Sequence, residues 1–256
     1  MACQLDRIME SATAALMAMD YLTCESKCLD ALSIARRKQN WTYYARILLP
    51  LQEARRQRRM IAAEGSFRFG STNLGGDPQP WLERLGNGCI VVSQPHAPEV
   101  AHAVARAARA SRRHVEVLYA DNPVTAPTWQ LRSYAGPATT TRLPAPPADM
   151  IDRWMAPLPP TQNVPHCSPV APDGPGPTGG QCQLNAPCHP TDWFLNACES
   201  LGDAALNQVG PHLRASQRVE ALEHCLDVVA DHEIIHQRLG DAAHNAQMTT
   251  SDGRTN

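Results

Sequence analysis

The chain has 256 residues with 23 basic and 25 acidic side chains, so its overall charge does not indicate a nucleic-acid partner. No run of about 18 apolar residues occurs, which excludes a predicted transmembrane helix. The N-terminus lacks the basic and apolar regions of a signal peptide. Most of the nine cysteines fall in helical or strand patterns, as is typical of reduced core residues. We therefore expect a cytoplasmic protein without a membrane segment.

Residues 1–64 are predicted to form three helices in a helical hairpin region. Apolar side chains recur there at intervals of three and four residues, which places them on one face of each helix. Asn40 is a suitable N-cap for the third helix, and Pro50 is expected to kink or split that helix. The glycines and prolines of 65–80 predict a loop that ends this region.

Residues 81–143 are predicted to form a small α/β module. Two short β-branched runs, Cys89–Ser93 and Val115–Tyr119, predict strands, and 98–113 between them predicts a helix that begins at a proline. A strand, a helix and a strand at this spacing predict a βαβ unit with parallel strands. Two further strands are expected between residues 129 and 143.

Residues 144–190 are rich in proline and poor in apolar side chains, which predicts a disordered linker. Helical periodicity returns over 191–248, where a second helical hairpin region is expected, and 249–256 are expected to form a disordered tail. The N-terminal helices carry an excess of basic side chains and the C-terminal helices an excess of acidic ones, which favours their association. The predicted fold class is mixed α+β, with N- and C-terminal helical hairpins flanking the small βαβ-containing module.

Two segments, one near each end of the chain, carry small or medium apolar residues spaced four and three apart. These residues are Cys24, Cys28 and Ala31 in the first segment and Ala221, Cys225 and Val228 in the second. In this spacing both segments resemble the second helix of a tetratricopeptide repeat. The resemblance implies a surface that binds peptides or partner proteins, with no catalysis required. Generic antiparallel helical hairpins are the alternative, since no tandem period of about 34 residues is present.

The sequence from His232 through Glu233 to His236 is the motif with the most specific chemistry. On a helix, two histidines four residues apart face the same way and can share a zinc ion, while Glu233 can polarise a metal-bound water. A zinc-dependent hydrolase of the metallopeptidase type is therefore one alternative function. The third ligand that zinc requires does not occur at a known spacing, so we expect a polar helix face without metal. The apolar residues of this helix are then expected to face the helix before it: Ile234, Ile235 and Leu239.

Two further groups of residues could bind a ligand. The first lies in the predicted linker and lacks the paired spacing of a structural zinc site, so its members are expected to be unliganded. Its members are His166, Cys167, Cys182, Cys188 and His189. The second group, Ser93, Gln94 and Asp121, lies at the ends of the predicted parallel strands, where α/β proteins bind ligands. A small-ligand-binding α/β module is therefore a second alternative function.

Four arginines within Arg55–Arg59 form a basic cluster at the end of the third predicted helix. Such a cluster can contact nucleic-acid phosphates, but no aromatic side chains interleave with it and acidic residues lie nearby. We therefore expect a solvated helix end and no nucleic-acid partner.

The leading hypothesis is a non-enzymatic protein-interaction or scaffold protein that has an unidentified protein partner and needs no cofactor.

Overall fold

The computed structural model of the chain describes residues 4–70, 77–121, 126–146 and 190–252. The predicted linker at 144–190 lies outside the described residues except at its two ends, and the histidines and cysteines of its predicted cluster lie outside them too. Three parts follow one another along the chain: N-terminal helices, a sheet with two helical crossovers, and C-terminal helices.

The N-terminal part consists of α1 (Gln4–Met17), α2 (Tyr21–Arg37) and α3 (Trp41–Ala63). The predicted N-cap of α3 is confirmed, because the side chain of Asn40 accepts a hydrogen bond from the N–H of Tyr43 at 3.2 Å. The helix continues through Pro50, so the predicted split is wrong. Leu48 and Leu51, in the same turns of the helix as the proline, are buried, and this packing offsets the backbone hydrogen bond that proline cannot donate.

A five-stranded mixed sheet forms the middle of the molecule. Its strands are β1 (Ser66–Gly70), β2 (Gly88–Ser93), β3 (Val115–Ala120), β4 (Thr128–Arg132) and β5 (Thr140–Pro144). They lie side by side in chain order. The first three are parallel, and β4 and β5 are antiparallel to their neighbours. The predicted parallel pairing of the second and third strands is confirmed, with Cys89 opposite Glu116.

The predicted loop at 65–80 is wrong at both of its ends. Residues 66–70 form β1, which pairs in parallel with β2, and 79–85 form a short helix, α4 (Gln79–Leu85). A five-residue strand between glycines is too short to show a period in the sequence, and its pairing with β2 determines its conformation. The βαβ unit is therefore extended by one more strand and one more crossover helix.

Helices cover both faces of the sheet. One face packs against α4 and α5 (Pro98–Ala110), and the other packs against α3 and α6 (Pro190–Leu206). The alternation of a strand directs successive side chains to the two faces: Ile90 and Val92 of β2 lie in the core with α5, whereas Val91 lies in the core with α6. Trp129 of β4 and Trp193 of α6 meet edge to face, with ring centroids 5.2 Å apart.

The two helical ends of the chain share one apolar core. The last helices are α7 (Ala215–Val228) and α8 (Glu233–Asp252), and their buried side chains lie in the same cluster as those of α1, α2 and α3. Ion pairs also join the ends, since Arg36 contacts Glu223 and lies 3.7 Å from Glu220. The predicted association of basic and acidic ends thus has a structural basis, although packing contributes more than exposed ion pairs do.

The C-terminal helix differs from its prediction in two respects. Ile235 and Leu239 are buried as expected, but Ile234 is 37% exposed and does not face the core. The helix also continues to Asp252, so the predicted disordered tail is wrong for 249–252, and 253–256 lie outside the described residues.

The predicted mixed α+β class is confirmed: helices at both ends flank a sheet with βαβ connections. None of the helices in the described ranges combines the length and the apolar character that crossing a membrane requires.

Candidate functional site

Three of the four arginines at the basic end of α3 are buried, and of the four only Arg56 is solvated as the sequence predicts. Arg55, Arg58 and Arg59 are each no more than 8% exposed. They turn inwards because carboxylates from distant parts of the chain meet them between α3, the sheet and the C-terminal helices. A buried guanidinium requires such a counter-charge, so these arginines hold the three parts of the molecule together.

Glu25 of α2 is the central carboxylate of this network. Its Oε1 accepts a hydrogen bond from Nε of Arg55 at 2.9 Å, and its Oε2 contacts Nη1 of Arg58. Arg58 also lies 3.6 Å from Glu116 of β3. Burial alone would raise the pKa of Glu25, but the guanidinium groups of Arg58 and Arg55 outweigh burial and lower that pKa to about 2. The carboxylate therefore stays ionised throughout the neutral range.

A second buried pair joins Arg59 of α3 to Asp231, which precedes α8. Burial raises the pKa of Asp231 to about 6 against the attraction of Arg59, and the nearby carboxylate of Glu116 acts in the same direction as burial. Arg55 additionally donates a hydrogen bond from Nη1 to the carbonyl oxygen of Ala230 at 2.9 Å. The turn between α7 and α8 is thus held by two arginines of α3.

The two histidines of the zinc-type motif make different contacts. Nε2 of His236 lies 3.0 Å from the carbonyl oxygen of Ala230, and its Nδ1 is buried without a hydrogen-bond partner in the described part of the chain. Burial first, and then the charge of Arg55, lower the pKa of His236 to about 4, so the ring is neutral and donates from Nε2. Glu233 is exposed and accepts a hydrogen bond from Gln237 at 3.0 Å.

His232 lies just before α8 and acts as its cap. Its Nδ1 accepts a hydrogen bond from the N–H of Ile235 at 3.3 Å, so a neutral ring carries its proton on Nε2. Nε2 lies 3.3 Å from Glu199 and 3.4 Å from Asp203, both on α6, although neither contact has hydrogen-bond alignment. His232 as a whole is 1% exposed. It therefore joins the start of α8 to the face of α6.

Among the described residues, the ligand atoms of Glu199, Asp203 and His232 form the one group of three that lies within 4.8 Å, and His236 is not part of it. A metal at this point would need the lone pair of Nε2. The proton would then have to move to Nδ1, which faces the backbone N–H of Ile235. A histidine that ligates metal normally donates its other nitrogen to an acceptor. Because Nδ1 of His232 accepts a hydrogen bond here and has no acceptor to donate to, the contact disfavours a metal ion on Nε2.

The residues predicted at the strand ends lie on neighbouring strands, since Ser93 of β2 is opposite Ala120 of β3, but their side chains differ in exposure. Ser93 is 2% exposed and its hydroxyl donates to the carbonyl oxygen of Gln94 at 3.4 Å, whereas the Gln94 side chain is exposed. Asp121 lies 3.8 Å from Arg132 of β4. The segment that follows Asp121 lies outside the described residues.

A cleft of about 560 Å³ lies beside the buried arginine network. Side chains of α5, β3, the loop after β4, and α7 line it, together with Arg55 and Arg59. Three lining residues of α5 are not among the predicted site residues: His102, Arg106 and Arg109. Their spacing of four and three residues places them on one face of the helix. This spacing predicts a basic stripe along α5, because the apolar residues of the helix occupy a different face.

A larger and shallower groove of about 1120 Å³ runs between α1 and α3. Its walls include Leu16 and Met17 of α1 and Ile47, Leu49 and Pro50 of α3. Met17 is 81% exposed and Leu49 is 73% exposed, so each of the two helices carries a largely exposed apolar side chain beside the groove.

Comparison with protein-family models, with curated proteins and with solved structures gave no match to this chain.

Proposed function

We propose that the protein is a non-enzymatic interaction protein that binds an amphipathic helix of a partner protein in the groove between α1 and α3. The observation that carries this proposal is the exposure of Met17 and Leu49 on the walls of that groove. Contiguous exposed apolar surface of this kind marks protein-interaction sites.

The chemistry of the groove favours a helical occupant. Methionine and leucine side chains adapt to the apolar face of a helix, which contacts such grooves at positions i, i+3, i+4 and i+7. The floor comes from two helices of one core, so the groove is already formed without a partner. The likeness of α2 and α7 to tetratricopeptide helices agrees with a peptide-binding role.

The charges at the rim favour a basic partner. Three acidic side chains, Asp6, Glu10 and Glu53, line the groove, whereas Arg46 is its one basic lining residue within the described ranges. Arg46 lies over the ring of Tyr43, with 5.2 Å from its guanidinium carbon to the ring centroid, so part of its charge is directed at the aromatic face. We infer a partner helix with an apolar stripe flanked by lysine or arginine.

Binding of a synthetic peptide of leucine and lysine, patterned as an amphipathic helix, tests this proposal. Fluorescence anisotropy should show saturable binding with Kd of about 10 µM, or about −7 kcal/mol. Leu49→Asp and Met17→Asp should each weaken binding at least tenfold. Met60→Asp is the matched control, because Met60 is exposed on α3 but does not line the groove.

Two results would contradict the proposal. The first is equal binding of a scrambled peptide with the same composition, since the groove would then recognise charge alone. The second is concentration-dependent dimerisation in sedimentation velocity that Leu49→Asp abolishes, because the occupant would then be a second copy of the chain.

We also infer a cytoplasmic location. The described cysteines are all free and buried: Cys24, Cys28, Cys89, Cys198 and Cys225. Burial raises the pKa of Cys198 to about 12 and that of Cys225 to about 11, so both thiols stay protonated. Buried unpaired thiols are typical of proteins from a reducing compartment.

The hydrolase alternative has less support, because the hydrogen bond to Nδ1 of His232 directs its proton to Nε2.

A further inference from the structure

We propose that the cleft between α5 and α7 binds a small sugar phosphate, with Arg106 and Arg109 holding the phosphate group. The proposal is independent of the groove between α1 and α3, because the two sites share no lining residue.

The size and position of the cleft suit a small molecule. Its volume of about 560 Å³ falls in the range of typical ligand pockets. It lies where the sheet module meets the helical core, and Gly136 closes one edge of it. A Cβ at Gly136 would fall 2.6 Å from the carbonyl oxygen of His224, so the loop after β4 lies directly against α7.

The arginines of the cleft differ in their pairing. Arg55 and Arg59 lie on the α3 side and are neutralised by Glu25 and Asp231. Arg106 and Arg109 are exposed, line the cleft, and form no ion pair with any residue in the described ranges. These two guanidinium groups keep their hydrogen-bond donors available. Planar guanidinium groups bind phosphate oxygens through two parallel hydrogen bonds, so a pair of them matches a dianionic phosphate.

An aromatic residue adds a neutral donor to the same wall. The ring of Tyr134 meets His102 of α5 edge to face, with centroids 6.3 Å apart, and both line the cleft. The Tyr134 hydroxyl forms no hydrogen bond with a described residue, and burial raises its pKa. It therefore remains a protonated donor that can reach a phosphate or hydroxyl oxygen.

The acidic lining residues indicate the rest of the ligand. Glu116 is engaged with Arg58, whereas Asp227 of α7 is exposed and forms no ion pair within the described part of the chain. A carboxylate would repel a simple anion, but it accepts hydrogen bonds from hydroxyl groups. A ligand with a phosphate at one end and hydroxyl groups at the other satisfies both arginines and Asp227.

Isothermal titration of the full chain with ribose 5-phosphate, inorganic phosphate and ribose, in a buffer without phosphate, tests the proposal. We expect ribose 5-phosphate to bind at one site per chain, inorganic phosphate to bind more weakly, and ribose not to bind at millimolar concentration. The double variant Arg106→Gln/Arg109→Gln should lose at least tenfold in affinity for both phosphate compounds. Asp227→Asn should weaken ribose 5-phosphate binding without weakening inorganic phosphate binding, because it removes an acceptor for hydroxyl groups and also a charge that repels a simple anion.

Arg84→Gln is the control, since Arg84 is an exposed arginine of α4 that does not line the cleft. Circular dichroism should show unchanged folding in all the variants, because none of the substituted side chains is buried. Unchanged affinity in the double variant, or no heat of binding from either phosphate compound at millimolar concentration, would overturn the proposal. Equal affinity for ribose 5-phosphate and inorganic phosphate would overturn the assignment of a sugar.

Discussion

The imidazole of His232 lies directly against the backbone of Gly202, so that a Cβ at residue 202 would fall 2.7 Å from Cγ and 2.8 Å from Nε2 of the ring. Real Cβ atoms do not come this close to another heavy atom. The absence of a side chain at this point of α6 is what allows the ring to cap α8 while its Nε2 lies near Glu199 and Asp203.

Gly202→Ala should therefore destabilise the protein, although alanine favours a helix by up to about 1 kcal/mol. The ring is buried, and overpacking of this kind costs about 1–3 kcal/mol. We expect a net loss of about 1–2 kcal/mol in the free energy of unfolding, measured by urea denaturation.

Gly240→Ala in α8 is the matched control. The nearest atom to a Cβ there is Cδ1 of Leu48 at 3.9 Å, which is an ordinary contact distance. This variant should gain about 0.5–1 kcal/mol from helix propensity alone. If both substitutions stabilise the protein equally, the close contact between His232 and α6 is not present in solution.

Glu25→Gln should be one of the most destabilising single substitutions in the chain. The substitution leaves Arg55 and Arg58 buried without the negative charge of the carboxylate that both contact. Breaking a buried ion pair in this way costs about 3–5 kcal/mol. Glu53→Gln on α3 is the control, because Glu53 is only partly buried and its contact is a hydrogen bond from Gln57 one turn away. A loss below about 1 kcal/mol for Glu25→Gln in urea denaturation would show that water reaches the network.

Gly136→Ala tests whether the loop after β4 packs against α7. The residue has a φ of 70°, and a Cβ would also meet the carbonyl oxygen of His224 at 2.6 Å. Gly86 has a similar φ of 71° and nothing within 4 Å of its Cβ position, so Gly86→Ala measures backbone strain without a collision. We expect Gly136→Ala to lower the melting temperature more than Gly86→Ala, and to weaken ligand binding in the cleft. Equal effects of the two substitutions would mean that the loop does not contact α7.

The parts of the fold that sequence predicts are those with local signals. The parallel strands β2 and β3 are continuous apolar runs, and the helices of both ends show regular apolar spacing. The end of α3 shows where local signals fail. Arg55 and Arg58 look like solvated residues in the sequence, yet they are buried because Glu25 lies 30 and 33 residues before them in the chain and next to them in space.

The surroundings of the candidate site residues also come from contacts between residues that are far apart in the sequence. The two histidines of the zinc-type motif share a helical spacing in the sequence, but His232 lies outside α8 and turns towards α6, where Glu199 and Asp203 precede it by about 30 residues. Nothing in the motif itself indicates that Nδ1 is occupied by a backbone N–H. The basic stripe on α5 was visible as a spacing, but only the packing of α7 against the loop after β4 turns it into the wall of a cleft.

The pH dependence of stability should reveal two opposing groups at the start of α8. The folded-state pKa of His236 is about 4, below its ordinary 6.5, so the unfolded chain binds the extra proton. Its contribution to stability is present above pH 6.5 and is lost as the pH falls towards 4. The folded-state pKa of Asp231 is about 6, above its ordinary 3.8, so the folded chain binds the extra proton and gains stability as the pH falls through the same window. Each effect amounts to roughly 2 kcal/mol between pH 7 and pH 4.5, and in the native protein they largely cancel.

We therefore expect His236→Gln to become more stable, and Asp231→Asn less stable, on acidification over this range, each relative to the native protein. Urea denaturation at pH 7.0, 5.5 and 4.5 measures these slopes, and parallel pH profiles for the native protein and both variants would contradict the assigned burial of the two side chains.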